Sequence, residues 1–543
     1  MTWKEYKQTI KERGGLLEDQ YILGIDLGTT NSVISYWNPL SKRAEPIDIS
    51  GGFGKIPLPS VVQFRPDSNE WIVGEEAYRS LKIYPDTTVR SIKRKMGTDG
   101  KIRINNKDYL PEDISAKILK ALVSHVYDLN PKAEIAALVV SVPYDFDDAA
   151  KKATMKACET AGFGDKLICL IEEPKAAALA YNYRQSIDLD EKIMVFDFGG
   201  GTLDITLFHV AEKDERHIKM KVISEGGEAY HGGDNIDECI LAKCYELICE
   251  KTKQGREGIS PENQAELVMR SREVKERLSG VKSFRIPFTF CIPPFVSPMS
   301  REDFEELIKD FIDKTKRLVQ KTLREAYTGP ILPEDVSKVL LEGGSSQMPW
   351  VRETLAEIFG GEEKIYTSER PALDISLGAA YYGAMKMGVL DLSDMEALKF
   401  NVEFEAALAH DIGLEIVNNG VKSFFAMLRR GTPYPLAKKS HVFTLTGGDD
   451  EDMTTFGLRI LERINKDDKH EDCKLIGDVI ISNLPERPAG KTRLSITLLA
   501  EEEGGLIKGF VEDLGFKGEY EAVGYKESFD PGRFIKRNIG GDN

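Results

Sequence analysis

An α/β chain with an all-β module joined to its C-terminal side is the fold class that this sequence predicts, and three observations predict it. From residue 21 to about 388, apolar runs of strand length alternate with helical runs, the pattern of strands covered by helices. From about 406 to 515 the text changes to short apolar runs, SHVFTLT, FGLRIL, LIGDVIIS and RLSITLL, split by GGDD, LPERPAG and EEEGG. Short strands with turn-formers between them describe an all-β module. The third observation is an internal repeat. ILGIDLGTTN (22–31) resembles IMVFDFGGGT (193–202), with Ile22/Ile193, Asp26/Asp197, Gly28/Gly199 and Ile34/Ile205 all 171 residues apart.

The elements follow in order. Residues 1–20 are a charged lead-in whose polar start, MTWKEYKQTIKERGG, predicts a short helix broken at Gly14 and Gly15. This start has no apolar core of a signal peptide. Residues 21–388 carry the repeat and alternate strands with helices as one domain. Residues 389–405 (VLDLSDMEALKFNVEFE) are acidic and end in strict alternation at Leu398, Phe400, Val402 and Phe404. That is a strand with one buried face, read either as an interdomain linker adding to a sheet edge or as the first strand of the β module. Residues 406–515 are the β module, and 516–543, rich in glycine and charge, are expected to be loose.

Composition removes several function classes. The chain has 543 residues, with 73 basic and 89 acidic side chains and a net charge of −16. That length corresponds to about three to four domains, and the negative balance disfavours nucleic acid or an anionic membrane as partner. A 41% hydrophobic share is that of a folded protein, and no stretch approaches the roughly 18–20 apolar residues of a membrane span. The seven cysteines form no CxxC pair, which points to reduced thiols and a cytoplasmic location. Cys239, Cys244 and Cys249 are spaced around a helix rather than along one metal-facing side.

Each copy of the repeat reads as an apolar strand, an aspartate, a glycine turn with hydroxyl residues, and a second strand. Such a hairpin turn exposes backbone N–H groups that cradle phosphate oxygens. Gly28, Gly199, Gly200 and Gly201 allow close approach, while Thr29, Thr30, Asn31 and Thr202 add donors. Asp26 and Asp197, at the strand ends, would face one another across a hydrated Mg²⁺. Two unrelated glycine hairpins remain the plain alternative.

DLGTTNS, VPYDFDDAAKKAT, EEPKAAALAY, FDFGGGTLDI and LLEGGSSQMPWV stand in the order found in the heat shock protein 70 family, which this chain resembles over most of residues 21–515. The resemblance implies a two-lobed, actin-like ATPase domain, a short linker and a β-sandwich that grips extended apolar peptides. The family's helical lid has no counterpart here, since residues 516–543 cannot build a helical bundle. It also implies ATP and Mg²⁺ as cofactors and unfolded or extended client peptides as partners. J-domain co-chaperones and a nucleotide-exchange factor come with the family.

The resemblance further assigns roles. Lys93, which alone reads as part of a solvated basic run, matches the lysine near the γ-phosphate that orients the attacking water. Glu173, otherwise a charge at a helix start, matches a residue contacting that water. Pro143 and Lys151 match a relay reporting nucleotide state, although the family usually has arginine at the latter position. Gly343, Gly344 and Ser345 match the turn against the ribose and base, and Lys275 and Ser279 the adenosine-contacting helix. Three departures weaken adenine recognition. The glutamate expected four residues before Lys275 is replaced, with Arg272 nearest; Gln347 stands for a stacking arginine; Ala372 stands for an aspartate. In the β module, Val417 and Phe456 match one side and the floor of the peptide groove, or else are ordinary sandwich residues. A small-molecule kinase of the same superfamily, with Asp147, Asp148 or Asp204 as base, and an actin-like filament protein are the other classes open to this sequence.

Overall fold

The computed structural model describes the chain except for residues 51–55, 183–186, 214–216, 254, 391–400, 419, 435–437, 447–453, 465–466, 483, 501–505, 523–525, 530–534 and 539–543. Two units emerge: Met1–Tyr144 with Ala153–Phe404, and Asp145–Lys152 with Glu405–Asn543.

The first unit contains two sheets built to one plan, which is the structural form of the sequence repeat. In one, the order is Leu167–Glu172, Glu134–Val142, Gln20–Asp26, Asn31–Asn38, Arg43–Pro46; in the other it is Ile365–Thr367, Lys338–Glu342, Lys192–Phe198, Thr202–Lys213, His217–Ala229. Each has an antiparallel hairpin at its centre, Leu23 opposite Tyr36 in one and Val195 opposite Thr206 in the other. On the outer side of each hairpin's first strand lies a parallel neighbour. The central strands are buried along almost their whole length, so they read as continuous apolar runs rather than alternating ones. The helix Asp374–Met387 packs on the first sheet and on the helix Glu173–Asn182. Phe196, Leu203, Ile236, Val274 and Leu341 belong to the core of the second.

The helix expected in the lead-in is Trp3–Arg13. Thr2 and Glu5 close its start with a reciprocal capping box and Gly14, at φ 79°, ends it. Tyr6 and Ile10 are buried, and Trp3 N donates to Asp165 O at 2.9 Å, so this segment is fastened to the body of the unit. Cys239, Cys244 and Cys249 lie on the helix Gly233–Thr252 and are half-buried, buried and exposed in turn. Among the described residues no helix is long and apolar enough to cross a membrane.

The second unit is a two-sheet sandwich. One sheet has the order Val421–Leu428, Asp411–Asn418, Phe456–Arg463, Lys474–Ser482, Ile535–Asn538; the other has Lys438–Leu445, Thr492–Ala500, Ile507–Asp513, Lys526–Phe529. Leu414, Ile460, Val479, Leu494, Ile496 and Leu498 form the core between them. The expectation of a loose tail over 516–543 is corrected at 526–529 and 535–538. Lys526–Phe529 adds antiparallel to Ile507–Asp513, and Ile535–Asn538 adds parallel to Lys474–Ser482. Each strand is four residues long, too short to show a period of its own, and its pairing is dictated by the neighbouring edge.

Of residues 389–405, positions 391–400 lie outside the described residues, Leu398 and Phe400 among them. A strand, Asn401–Ala407, follows. In the first unit it is the neighbour of His217–Ala229 in the larger sheet, and the rings of Phe404 and Phe208 lie 5.8 Å apart.

Candidate functional site

The two hairpins aim their turns into one cleft of about 430 Å³ in the first unit. Gly28, Thr29, Thr30 and Asn31 line one side; Gly199, Gly200, Gly201 and Thr202 line the other. The turns meet closely. A Cβ on Gly200 would lie 1.7 Å from Thr30 Oγ1, so any other residue there would push the Thr30 side chain aside. Gly343, at φ +77°, lies where a Cβ would come within 2.4 Å of Phe198 O; it forms the turn after Lys338–Glu342 and lines the cleft with Gly344 and Ser345.

Asp26 ends the first central strand and Asp197 lies one residue from the end of its counterpart, and both line the cleft with Lys93 and Glu173. Lys93 sits on the short turn Ile92–Lys95, is 8% exposed, and forms an ion pair with Glu173 Oε1. A buried ammonium needs such a partner. Burial would lower the Lys93 pKa, but the carboxylates of Glu173, Asp26 and Asp197 outweigh it and the net shift is upward. Burial first, and then the Glu173 charge, push the Asp26 carboxyl up to about 7; Lys93 and a 3.1 Å hydrogen bond from Ser141 pull the other way. Asp197 is raised well above the ordinary range by burial, with Glu173 and Asp26 adding to it. Three carboxylates around one ammonium is a site short of positive charge.

Those oxygen donors suit a hard divalent cation. An ion such as Mg²⁺ keeps several waters and takes only one or two carboxylates, a number that Asp26 and Asp197 could supply at the strand ends.

At the far end of the cleft are Lys275 and Ser279, both on the helix Pro261–Gly280. Lys275 Nζ donates to Gly233 O at 2.8 Å and pairs with Asp237 at 2.8 Å; Ser279 Oγ donates to Lys275 O at 3.0 Å. The substituted positions Arg272, Gln347 and Ala372 line the same end. The Arg272 guanidinium bonds Glu276 at 2.8 Å and lies 5.2 Å from the Tyr78 ring centre.

Several residues of the site escaped sequence reasoning. Asp204, weighed only as a kinase base, accepts the Thr202 hydroxyl at 2.8 Å and is 2% exposed. Ser91, Arg94 and Asp234 tie the walls together behind the turns; the paired Gly232 and Gly233 were the available signal of close backbone approach there. Pro143 follows the strand Glu134–Val142 in the first unit, whereas Lys151 is buried and belongs to the second. In the sandwich, Val417 and Phe456 are not placed on one surface. Alternation sets Phe456 with Leu458 and Ile460 on the core side, packed against the interior, while Val417 is 60% exposed on the other face.

Compared with known proteins, the chain matches the family model described as Hsp70 protein over residues 22–103 and 98–508. It is similar to the chaperone protein DnaK of Thermosipho melanesiensis, 29% identical over 521 residues, covering 93% of this chain and 80% of the relative. The DnaK of Thermotoga petrophila is 30% identical over 522 residues with the same coverage. That of Ureaplasma parvum is 31% identical over 499 residues, covering 89% of this chain and 75% of the relative.

Proposed function

The chain belongs to the Hsp70 family and is an ATP-dependent chaperone with ATPase activity, and from that premise we propose how its own residues divide the work. The turns at Gly28–Asn31 and Gly199–Thr202 take the phosphates between their backbone N–H groups. Lys93 neutralises the terminal phosphate and orients the attacking water, and Glu173 holds Lys93 and contacts that water. Phosphoryl transfer asks for positioning and charge neutralisation rather than covalent help, and Lys93 supplies both. Thr202, fixed by Asp204, adds a hydroxyl beside the second turn. Asp26 and Asp197 would hold the hydrated Mg²⁺, which when bound neutralises phosphate charge. Lys275, Ser279, Gly343, Gly344 and Ser345 form the nucleoside end. With Gln347 there, a stacking guanidinium worth about 1 kcal/mol is lost from that side.

The second unit binds extended apolar segments of unfolded polypeptides through backbone pairing and side-chain pockets, with Val417 part of its apolar surface. Pro143 and Lys151, on either side of the division between units, are the coupling residues. J-domain and exchange-factor partners and a cytoplasmic setting complete the proposal.

The observation that carries the site assignment is the convergence of two repeated hairpins and the Lys93–Glu173 pair on one cleft. Lys93→Ala should reduce ATP hydrolysis by roughly 10²- to 10⁴-fold while ATP still binds, because the turns keep their donors. Normal turnover in that variant would overturn the assignment. An unfolded polypeptide should stimulate wild-type hydrolysis, and sugars or acetate should not.

A further inference from the structure

Behind the phosphate turns, one carboxylate joins three segments that are far apart in sequence. The helix Gly233–Thr252 starts against the second turn, with Gly233 N donating to Gly199 O at 3.0 Å and Asp234 N to Gly200 O at 2.8 Å. Asp234 then uses both side-chain oxygens. Oδ1 accepts the Thr30 hydroxyl at 3.1 Å, and Oδ2 accepts the Ser91 hydroxyl at 2.5 Å. Thr30 belongs to the first phosphate turn, and Ser91 immediately precedes the Ile92–Lys95 turn that carries Lys93.

Two further features show that this junction is built. Ser91 is held at φ 53°, ψ 33°, a left-handed conformation in which a residue with a side chain persists only where its surroundings impose it. On the other side of Lys93, Arg94 donates to Gly201 O at 3.0 Å and to Asn235 Oδ1 at 2.8 Å, its guanidinium 5.2 Å from the Tyr230 ring centre. Lys93 is thus gripped from both flanks by the second hairpin and the helix start behind it. The negative charge of Asp234 sits in the first turn of its helix, where the helix dipole favours it. None of Ser91, Arg94 and Asp234 lines the cleft.

The geometry points to Asp234 as a positioning residue for hydrolysis. Its carboxylate holds the first phosphate turn and the Lys93 segment in register with the second turn, and so sets how long the cleft stays closed on its nucleotide. The reason is geometric. Lys93 and the first turn belong to one half of the cleft and Gly199–Thr202 to the other, to which Asp234 is bonded through its backbone. Its carboxylate accepts one bond from each of two elements of the first half, Thr30 of the turn and Ser91 beside Lys93, and so ties the halves together. Loss of the carboxylate frees both at once. Ground-state binding to the turns is weakened only modestly, because their backbone donors are untouched, while the alignment needed at the transition state is lost.

This inference rests on the assignment of the cleft as the ATP site, and wild-type turnover and the Lys93→Ala variant test that assignment separately. The experiment uses the full chain with Asp234→Ala, Ser91→Gly and the double variant. Glycine at 91 keeps the left-handed backbone without strain and removes the hydroxymethyl group that bonds Asp234. Single-turnover hydrolysis of ATP and the dissociation rate of a fluorescent ADP are measured. Asp234→Ala should slow hydrolysis about 10- to 100-fold and speed ADP release about tenfold, the scale of losing one hydrogen bond to a charged group, because part of the loss of the two bonds is shared by ground and transition states. Ser91→Gly should give a smaller change of the same kind, and the double variant should be no worse than Asp234→Ala alone. Asp234→Glu should restore part of both rates. If Asp234→Ala hydrolyses and releases nucleotide within twofold of wild type, or if the two losses multiply as independent ones, the inference fails. Should Asp234→Ala not fold, Ser91→Gly decides: unchanged hydrolysis and release in that variant overturn the proposal.

Discussion

Single side chains here do two kinds of work, and Lys93 and Arg487 mark the extremes. Lys93 is buried among Glu173, Asp26 and Asp197, so its charge is stabilised by groups that a nucleotide and its metal would also engage. Arg487 serves only the fold. It is 2% exposed, and its guanidinium meets Asp513 at 2.6 and 2.8 Å and the carbonyl of Glu521 at 2.7 Å. A two-pronged pair of this kind leaves few unmet bonds, but removing one partner strands a charge in the interior. Arg487→Ala should therefore destabilise the second unit by about 3–5 kcal/mol, seen as a lowered unfolding temperature of that unit. Arg487→Met with Asp513→Leu should recover most of the loss, because volume-matched apolar replacements carry no stranded charge. A cost below about 1 kcal/mol for the single change would mean that water reaches the pair.

At the scale of elements, Asn401–Ala407 carries the sharpest expectation. Its neighbour in the first unit is His217–Ala229, and Phe404 packs near Phe208. If it is a linker that docks with ATP, amide exchange over 401–404 should be slower with ATP than with ADP. Phe404→Asp should then uncouple client binding from hydrolysis and leave basal turnover intact. Equal protection in both nucleotides, with a destabilised sandwich in the variant, would make the strand a fixed part of the fold.

What could be read in the sequence follows the same scale. The repeated hairpins were legible because one register of apolar residues, aspartate and glycine appears twice, and geometry repeats with it. The lead-in helix was legible from its break at Gly14 and Gly15, whereas its capping box of Thr2 and Glu5 went unread. The tail strands were not, since KESF and IKRN take their conformation from edges contributed by Ile507–Asp513 and Lys474–Ser482. The Ser91–Asp234 bond was hidden for a related reason. It joins common polar residues 143 positions apart; Gly232 and Gly233 mark a close backbone approach before Asp234, but nothing local marks Ser91 as its partner. Val417 and Phe456 were matched to a groove by position alone, with ordinary sandwich residues as the other reading, and alternation gives their side chains different faces.

For the whole molecule, two buried histidines predict opposite responses to pH in its two units. In the first, His231 is 2% exposed, stacked on Phe311 with ring centres 3.7 Å apart and planes 7° from parallel, and its Nε2 lies 2.8 Å from Thr315 Oγ1. Burial first, and then the Lys314 charge, pull its pKa from 6.5 down to about 4. Unfolded, this histidine takes up a proton near 6.5; folded, it resists until about 4. Its contribution to stability is therefore complete above about pH 6.5 and is lost as pH falls towards 4, with an upper bound of about 3 kcal/mol. In the second unit, His410 Nδ1 lies 2.8 Å from Glu462 Oε1. Burial would lower its pKa, but the bond and charge of Glu462 outweigh that and raise it above 6.5. Its contribution is complete below about pH 6.5 and is lost as pH rises through the folded value. Calorimetry of the full chain from pH 5 to 8 should show two transitions, the one raised by ATP belonging to the first unit. Other carboxylates and bases titrate in both, so the diagnostic quantity is the difference between wild type and His231→Gln or His410→Gln. The first substitution should flatten the acid-side loss of the ATP-sensitive transition alone, and the second should flatten the alkaline-side loss of the other. If neither slope changes, or if both variants act on the same transition, the two histidines are not the opposed titrating groups of this fold.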